Sequence, residues 1–230
     1  MTTTDNAAHR GPTGAPVPEG QGKNPWYAML AMCIGFFMIL VDMTIVAVAQ
    51  PAIQRALGAD FNSIIWVTSV YLLTYAVPLL VAGRLGDKFG PKLIFQIGLV
   101  IFTAASVWCA FSTSIGMLIA ARAVQGIGAA LITPQTMAIV TRIFPTERRG
   151  AAMDVWGIVP VVATMVGPLL GGVRTANFGW KWIFLINLPV GIIGLIAAQV
   201  FVPRVTTHDH KFDWVGVVLS GIGLAALVFG

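Results

Sequence analysis

The sequence predicts an all-α polytopic membrane protein, and three observations predict it. Hydrophobic residues make up 57% of the chain and charged residues only 10%, where an average soluble domain carries roughly 25% charged. Apolar runs of the length a bilayer requires, about 20 residues each, recur six times between residues 26 and 202. The charges collect in the short stretches between those runs.

Taken in order, the chain opens on MTTTDNAAHRGPTGAPVPEGQGKNP, residues 1–25. Gly, Pro and small polar residues cannot bury apolar area, so this stretch is expected to be a disordered cytoplasmic tail. It lacks an apolar core followed by a small-residue cleavage site, so it does not read as a signal peptide. The expected spans cover 26–49, 63–83, 93–111, 115–141, 150–173 and 182–202. A cytoplasmic loop, 203–213, leads to a seventh apolar run that begins at Trp214 and reaches Gly230, so the chain reads as part of a longer protein. Gly and Pro inside the spans, notably the fifth, permit close helix contact and kinks.

Lys and Arg orient the bundle. With the N-terminus inside, the cytoplasmic side holds Arg10, Lys23, Arg84, Lys88, Lys92, Arg142, Arg148, Arg149, Arg204 and Lys211, and the outer side Arg55, Arg174 and Lys181. Ten against three is the positive-inside bias of a plasma (inner) membrane protein with a cytoplasmic N-terminus. Trp26, Trp66, Trp180, Trp182 and Trp214 fall near span ends, as aromatic belts do.

Several function classes are set aside. The net charge of +5 is spread over short clusters rather than one basic face, so no nucleic acid is expected. Cys33 and Cys109 fall in apolar runs and imply no disulfide framework. His9, His208 and His210 lie in polar segments, and two ligands do not close a zinc site, so neither metal nor cofactor is expected. Gly126-x-Gly128 lies inside a span with no strand before it, which excludes a dinucleotide fingerprint. No Ser/His/Asp or Cys/His set falls in one compartment, and no enzyme is expected.

Two charges lie well inside spans: Asp42 in the first and Arg122 in the fourth. Each costs at least ~2.5–3.5 kcal/mol at mid-membrane on insertion scales, so such residues face a partner or a cavity. Asp42 lies seven residues before the end of an outward run and Arg122 seven after the start of an inward one. Both are therefore about 10 Å from the outer end, and facing helices would bring them into one wet cavity. Burial favours the neutral acid while a nearby guanidinium favours the carboxylate, so making and breaking the contact could load and unload a proton. Arg122 itself stays charged and cannot carry that proton. The alternative is a static ion pair that only orders the bundle. Asp154, near the start of the fifth span, reads as a carboxylate favoured by the helix dipole.

The stretch after the second span reads Gly83-Arg84-Leu85-Gly86-Asp87-Lys88-Phe89-Gly90-Pro91-Lys92. Its glycines would allow a tight turn, and Asp87 could pair with bases across the cytoplasmic surface. The ordered pattern resembles the G-x-L-a-D-r-x-G-r-k signature of the major facilitator superfamily, with Pro91 where the family often has Arg. Leu118-x-x-x-Arg122-x-x-Gln125-Gly126-x-Gly128 resembles the fourth-span motif, and Gly167-Pro168-Leu169-Leu170-Gly171-Gly172 the antiporter motif of the fifth, with Ala163 at an upstream Gly position. Leu40-Val41-Asp42-Met43-Thr44-Ile45-Val46-Ala47-Val48-Ala49-Gln50-Pro51 resembles the first-span signature of fourteen-span drug:proton antiporters, with Ala47 replacing Asn and Gln50 replacing Leu. Trp180-Lys181-Trp182-Ile183-Phe184-Leu185-Ile186-Asn187-Leu188-Pro189-Val190-Gly191 and Phe212-Asp213-Trp214-x-Gly216 resemble its sixth-span and seventh-span entries.

The resemblance implies the N-terminal six-helix half of a major facilitator fold plus the start of a seventh helix, as two inverted three-helix repeats. It implies Asp42 and Arg122 as the proton-coupling pair on the wall of a central cavity. Gly83, Asp87, Lys88 and Gly90 would form a conformational latch between halves, and Gly167, Pro168, Gly171 and Gly172 an antiporter-type kink. Thr44, Gln125, Phe37 and Tyr71 would line the substrate cavity, where aromatic side chains supply an adaptable apolar pocket; the same side chains also read as core or lipid-facing positions. The expected function is proton-coupled efflux of drugs or other small amphipathic molecules by alternating access, monomeric at full length, with substrate, protons and the bilayer as partners. A metabolite or siderophore exporter, or an uncoupled facilitator, keeps the fold and changes the task. A non-transporting membrane sensor or scaffold is the alternative from another class.

Overall fold

A computed structural model describes residues 24–203, without the side chains at 174, 176 and 177. The expected tail up to residue 23, the loop past residue 203 and the seventh run lie outside the described residues.

Every described element is a helix. The first, α1 (Pro25–Leu57), begins where the Asn24 side chain accepts from the Trp26 N–H and Pro25 occupies the first turn. It ends at Gly58 in a left-handed turn. Its 33 residues extend about 50 Å, well beyond the hydrocarbon thickness. Asp60 caps α2 (Phe61–Ala76), and the side-chain and backbone hydrogen bonds of Ser63 hold its exposed carboxyl below the usual range.

The second span is not one straight helix to residue 83 followed by a loop, as the sequence was expected to give. It breaks at Pro78 and resumes as α3 (Leu79–Phe89), bent by 43° from α2. Pro78 has no N–H for the carbonyl four residues back, so one rung of the helix is lost there. The glycines of the motif therefore do not form a turn together. Gly83 and Gly86 are helical, and only Gly90, at φ 95°, turns the chain into α4 (Pro91–Ala110). Pro91, where the family often carries Arg, is the first residue of α4, a position that suits proline.

Ser114 caps α5 (Ile115–Ile143), which runs through Pro134. The fifth span, α6 (Thr146–Phe178), is helical throughout despite Pro160 and Pro168. The sixth is split into α7 (Trp182–Leu185) and α8 (Asn187–Phe201). Pro189 leaves the Leu185 carbonyl without its helical donor, which loosens that turn. Helices α1, α4, α5 and α6, the α7–α8 run and the bent α2–α3 pair are long and apolar enough to cross a membrane, matching the six expected spans.

Helices α4 and α5 form the most extensive contact, followed by α1 with α6 and α2 with α5. The α4–α5 approach depends on Gly98 and Gly128: a Cβ on Gly128 would lie 2.6 Å from the Phe102 backbone nitrogen. The core divides into layers along the membrane normal. One apolar cluster joins Met32, Ile39, Phe95, Phe102, Ala129 and Ile132. Another, toward the α1–α2 connection, joins Ile45, Ile53, Val67, Cys109, Leu118 and Phe184. Polar side chains occupy the seam between them.

Candidate functional site

That seam is built from five spans. Asp42 comes from α1, between Ile39 and Ile45 of the two apolar clusters. Arg122 and Gln125 come from α5, three residues apart and so on one helix face. Asn187 opens α8, and Ser106 and Cys109 come from α4. From α2 come the Tyr71 ring and the Val67 carbonyl.

The hydrogen bonds form one network. Arg122 Nη1 donates to Asp42 Oδ2 at 2.5 Å and to Gln125 Oε1 at 2.8 Å. Asp42 Oδ1 accepts from Gln125 Nε2 at 3.0 Å and from Asn187 Nδ2 at 2.9 Å. Asn187 Nδ2 also donates to Ser106 Oγ at 2.9 Å, whose hydroxyl donates to the Phe184 carbonyl at 2.9 Å. Cys109 Sγ donates to Gln125 Oε1 at 3.6 Å, and Arg122 Nε to the Val67 carbonyl at 3.3 Å. The guanidinium carbon lies 3.9 Å from the Tyr71 ring centroid, the ring face stabilising the cation. Asp42, Arg122, Gln125 and Tyr71 are all 0% exposed and Asn187 is 2% exposed.

The expected ion pair is therefore present, but its surroundings differ from the expectation. The pair was placed on the wall of a wet central cavity; here it is sealed inside the bundle, with apolar side chains toward both membrane faces. Gln125 and Tyr71 belong to the cluster. Thr44 and Phe37 do not, since they lie about 200° and 140° around α1 from Asp42 at the helical 100° per residue. Thr44 donates to its own helix at the Val41 carbonyl (3.0 Å) and faces Gly167, where a Cβ would overlap its hydroxyl. Phe37 is half-buried.

Gly167 and Gly171 act in the fifth span by close approach to α1, Gly171 against Ile45 and Val48. A Cβ on Gly172 would meet nothing within 4 Å among the described residues. Of the residues expected to form a latch, Asp87 pairs with Arg142 of α5 at 2.7 Å, and Lys88 lies 5.2 Å from the Phe89 ring centroid. Gly86 seats Gln135, whose Nε2 donates to the Ala82 carbonyl at 2.7 Å and whose Oε1 a Cβ at Gly86 would overlap. Sequence reasoning did not single out Asn187, Ser106 or Gln135. The signal for Asn187 was a polar amide in an apolar run, two residues before a proline in the first turn of the helix.

A family model described as Major Facilitator Superfamily matches residues 32–216. The chain belongs to the major facilitator superfamily. This is a family of membrane transporters, not of enzymes. The chain is 56% identical over 208 residues to the MFS-type transporter Rv1250 of Mycobacterium tuberculosis, covering 90% of this chain and 36% of that one. It is 34% identical over 232 residues to the tetracenomycin C resistance and export protein of Streptomyces glaucescens, covering 100% of this chain and 43% of that one. The chain thus spans less than half the length of these relatives. A crystal structure of the peptide transporter POT (E310Q mutant) with sulfate superposes with a TM-score of 0.70 at 15% identity, over 96% of this chain and 46% of the other. At that identity the likeness establishes the fold.

Proposed function

We propose that this superfamily member, at full length, is a proton-coupled exporter of small amphipathic molecules, drugs among them, working by alternating access in the inner membrane. The observation that carries the reading is a carboxylate fully buried in the bundle, held by a guanidinium and two amides. A proton on Asp42 removes the negative charge that compensates Arg122. An uncompensated buried cation is costly, so the packed state that suits the ion pair no longer suits the neutral acid. That gives two arrangements whose balance a proton can tip. In the outward-facing arrangement Asp42 takes a proton and substrate is released. In the inward-facing arrangement the proton leaves as substrate binds. Because both apolar layers seal the cluster, proton access requires one of them to open, which is what alternating access supplies.

The export reading draws on the relative named for tetracenomycin C resistance and export. The orientation rests on the positive-inside bias, which places Asp87, Arg142 and the α5–α6 connection in the cytoplasm. There the Asp87–Arg142 pair and the Gln135 contact would hold α3 against α5 in one of the two states, as a latch. The full-length protein would act as a monomer.

Complete burial also favours a second reading, a static pair that only orders the bundle. The two separate on Asp42→Asn, which keeps the shape, turns one acceptor oxygen into a donor and removes the titratable charge. Efflux driven by a pH gradient is measured in vesicles holding the full-length variant. Coupled transport predicts efflux at the level of vesicles without the protein. Efflux at the native rate leaves the static pair.

A further inference from the structure

A carboxylate that changes charge influences the helices its hydrogen bonds reach. Arg122 and Gln125 bring α5 into the network, and both donate to Asp42 from one rigid helix face. The bond from the sixth span has a different character. Asn187 is the first residue of α8, in the turn that Pro189 deprives of a helical hydrogen bond. Its NH2 gives one hydrogen to each of two acceptors, Asp42 Oδ1 and Ser106 Oγ, both 2.9 Å away. Ser106 in turn donates to Phe184 of α7, so the same turn is clipped to α4. The ionisable groups packed around Asp42 are Arg122 of α5, Tyr71 of α2 and Cys109 of α4. From α7–α8 the group that reaches the carboxylate is the neutral Asn187 amide.

We propose that Asn187 is a positioning residue for transport, tying the sixth span to the charge state of Asp42. This rests on the reading of Asp42 as the proton carrier. A hydrogen bond from an amide to an ionised carboxylate is shorter and roughly twice as strong as one between neutral groups. When Asp42 is charged, that bond holds the α7–α8 turn against α1. When Asp42 takes a proton, Oδ1 becomes a weaker acceptor while the bond to Ser106 is unchanged, so the turn is then held by α4 more than by α1. The turn lacks the Leu185–Pro189 rung, so it can shift without breaking a backbone bond there. Neutralisation of an acid on the first span thereby changes the seating of the sixth, a helix with no ionisable side chain in its described part.

The test uses the full-length protein reconstituted in lipid and reads the hydrogen bond itself. Infrared difference spectra between acid and alkaline pH show the carbonyl stretch of protonated carboxyls, and the Asp42 band is the one missing from Asp42→Asn. In Asn187→Leu, which keeps the branched skeleton and removes the donor, that band is expected at higher frequency. Proton-driven turnover is expected to fall about tenfold or more, the worth of a hydrogen bond to a charged group. KM should stay within about twofold, since Asn187 touches no substrate in this reading. Asn187→Ser retains a shorter donor and should recover part of the turnover. Ser106→Ala, which leaves the Asp42 shell intact, should move the band less and give a smaller fall in turnover. An Asp42 band unmoved in both Asn187→Leu and Ser106→Ala overturns the proposal while leaving Asp42 as carrier. KM rising in step with the loss of turnover overturns it in favour of a substrate contact. Spectra in which Asp42→Asn removes no band overturn the proton-carrier reading, and this proposal with it.

Discussion

Removing the Arg122 side chain leaves Asp42 buried with two neutral amides and no cation. Breaking one half of a buried ion pair typically destabilises by 3–5 kcal/mol, so Arg122→Leu is expected to lower the thermal unfolding midpoint of the detergent-purified protein by several degrees. Adding Asp42→Leu should restore part of the loss but not all of it. Gln125 and Asn187 would then lack their shared acceptor, at about 1–3 kcal/mol for each unsatisfied group. A double variant no more stable than Arg122→Leu alone would mean that the pair does not stabilise as a unit. The two charges were legible in the sequence because a charge in hydrocarbon needs a reason to be there. Asn187 was not, since a neutral amide is cheap enough to stand in an apolar run without comment. Nor could sequence separation alone show that residue 187 returns to residue 42 across the bundle.

Among the elements, the α4–α5 pair tests how far packing depends on absent side chains. At Gly128 a methyl group would meet the Phe102 main chain, and backbone does not rotate away. Gly128→Ala is therefore expected to force the helices apart at about 1–3 kcal/mol, the usual range for overpacking. Gly172→Ala, on a glycine with open space around it, should change stability by less than about 0.5 kcal/mol. Unfolding of helical circular dichroism by added denaturing detergent compares the two, and equal effects would remove the argument. The spans themselves were legible because their length is set by the bilayer and their composition by its solvent properties. The break at Pro78 was not. The apolar run continues through it to Ala82, and hydropathy does not register a lost hydrogen bond. The motif after it read as a loop because its polar and glycine residues look like turn formers. Most of it nonetheless stands on a helix, with the Asp87 side chain paired to Arg142 and Gln135, also from α5, bonded to the Ala82 carbonyl.

For the molecule as a whole, the strongest physical arrangement is the layering: apolar core, polar seam, apolar core. Its direction in the membrane is an expectation from charge counting. With the N-terminus inside, the α1–α2 and α4–α5 connections face out and the α5–α6 connection faces in. Cys33 and Cys109 are buried, so with any cysteines beyond this chain replaced, introduced cysteines should report with little background. Thr113→Cys and Ala56→Cys stand at exposed positions near the expected outer surface, and Glu147→Cys at an exposed position near the inner one. In intact cells expressing the full-length protein, a membrane-impermeant maleimide is expected to label the first two. Glu147→Cys should label only after permeabilisation. The reverse pattern would invert the bundle and put the end of the ion pair nearer solvent on the cytoplasmic side. Asp42 would then load its proton from the cytoplasm, against the gradient that is meant to drive export, so this labelling bears on the mechanism as directly as the Asp42 variant does.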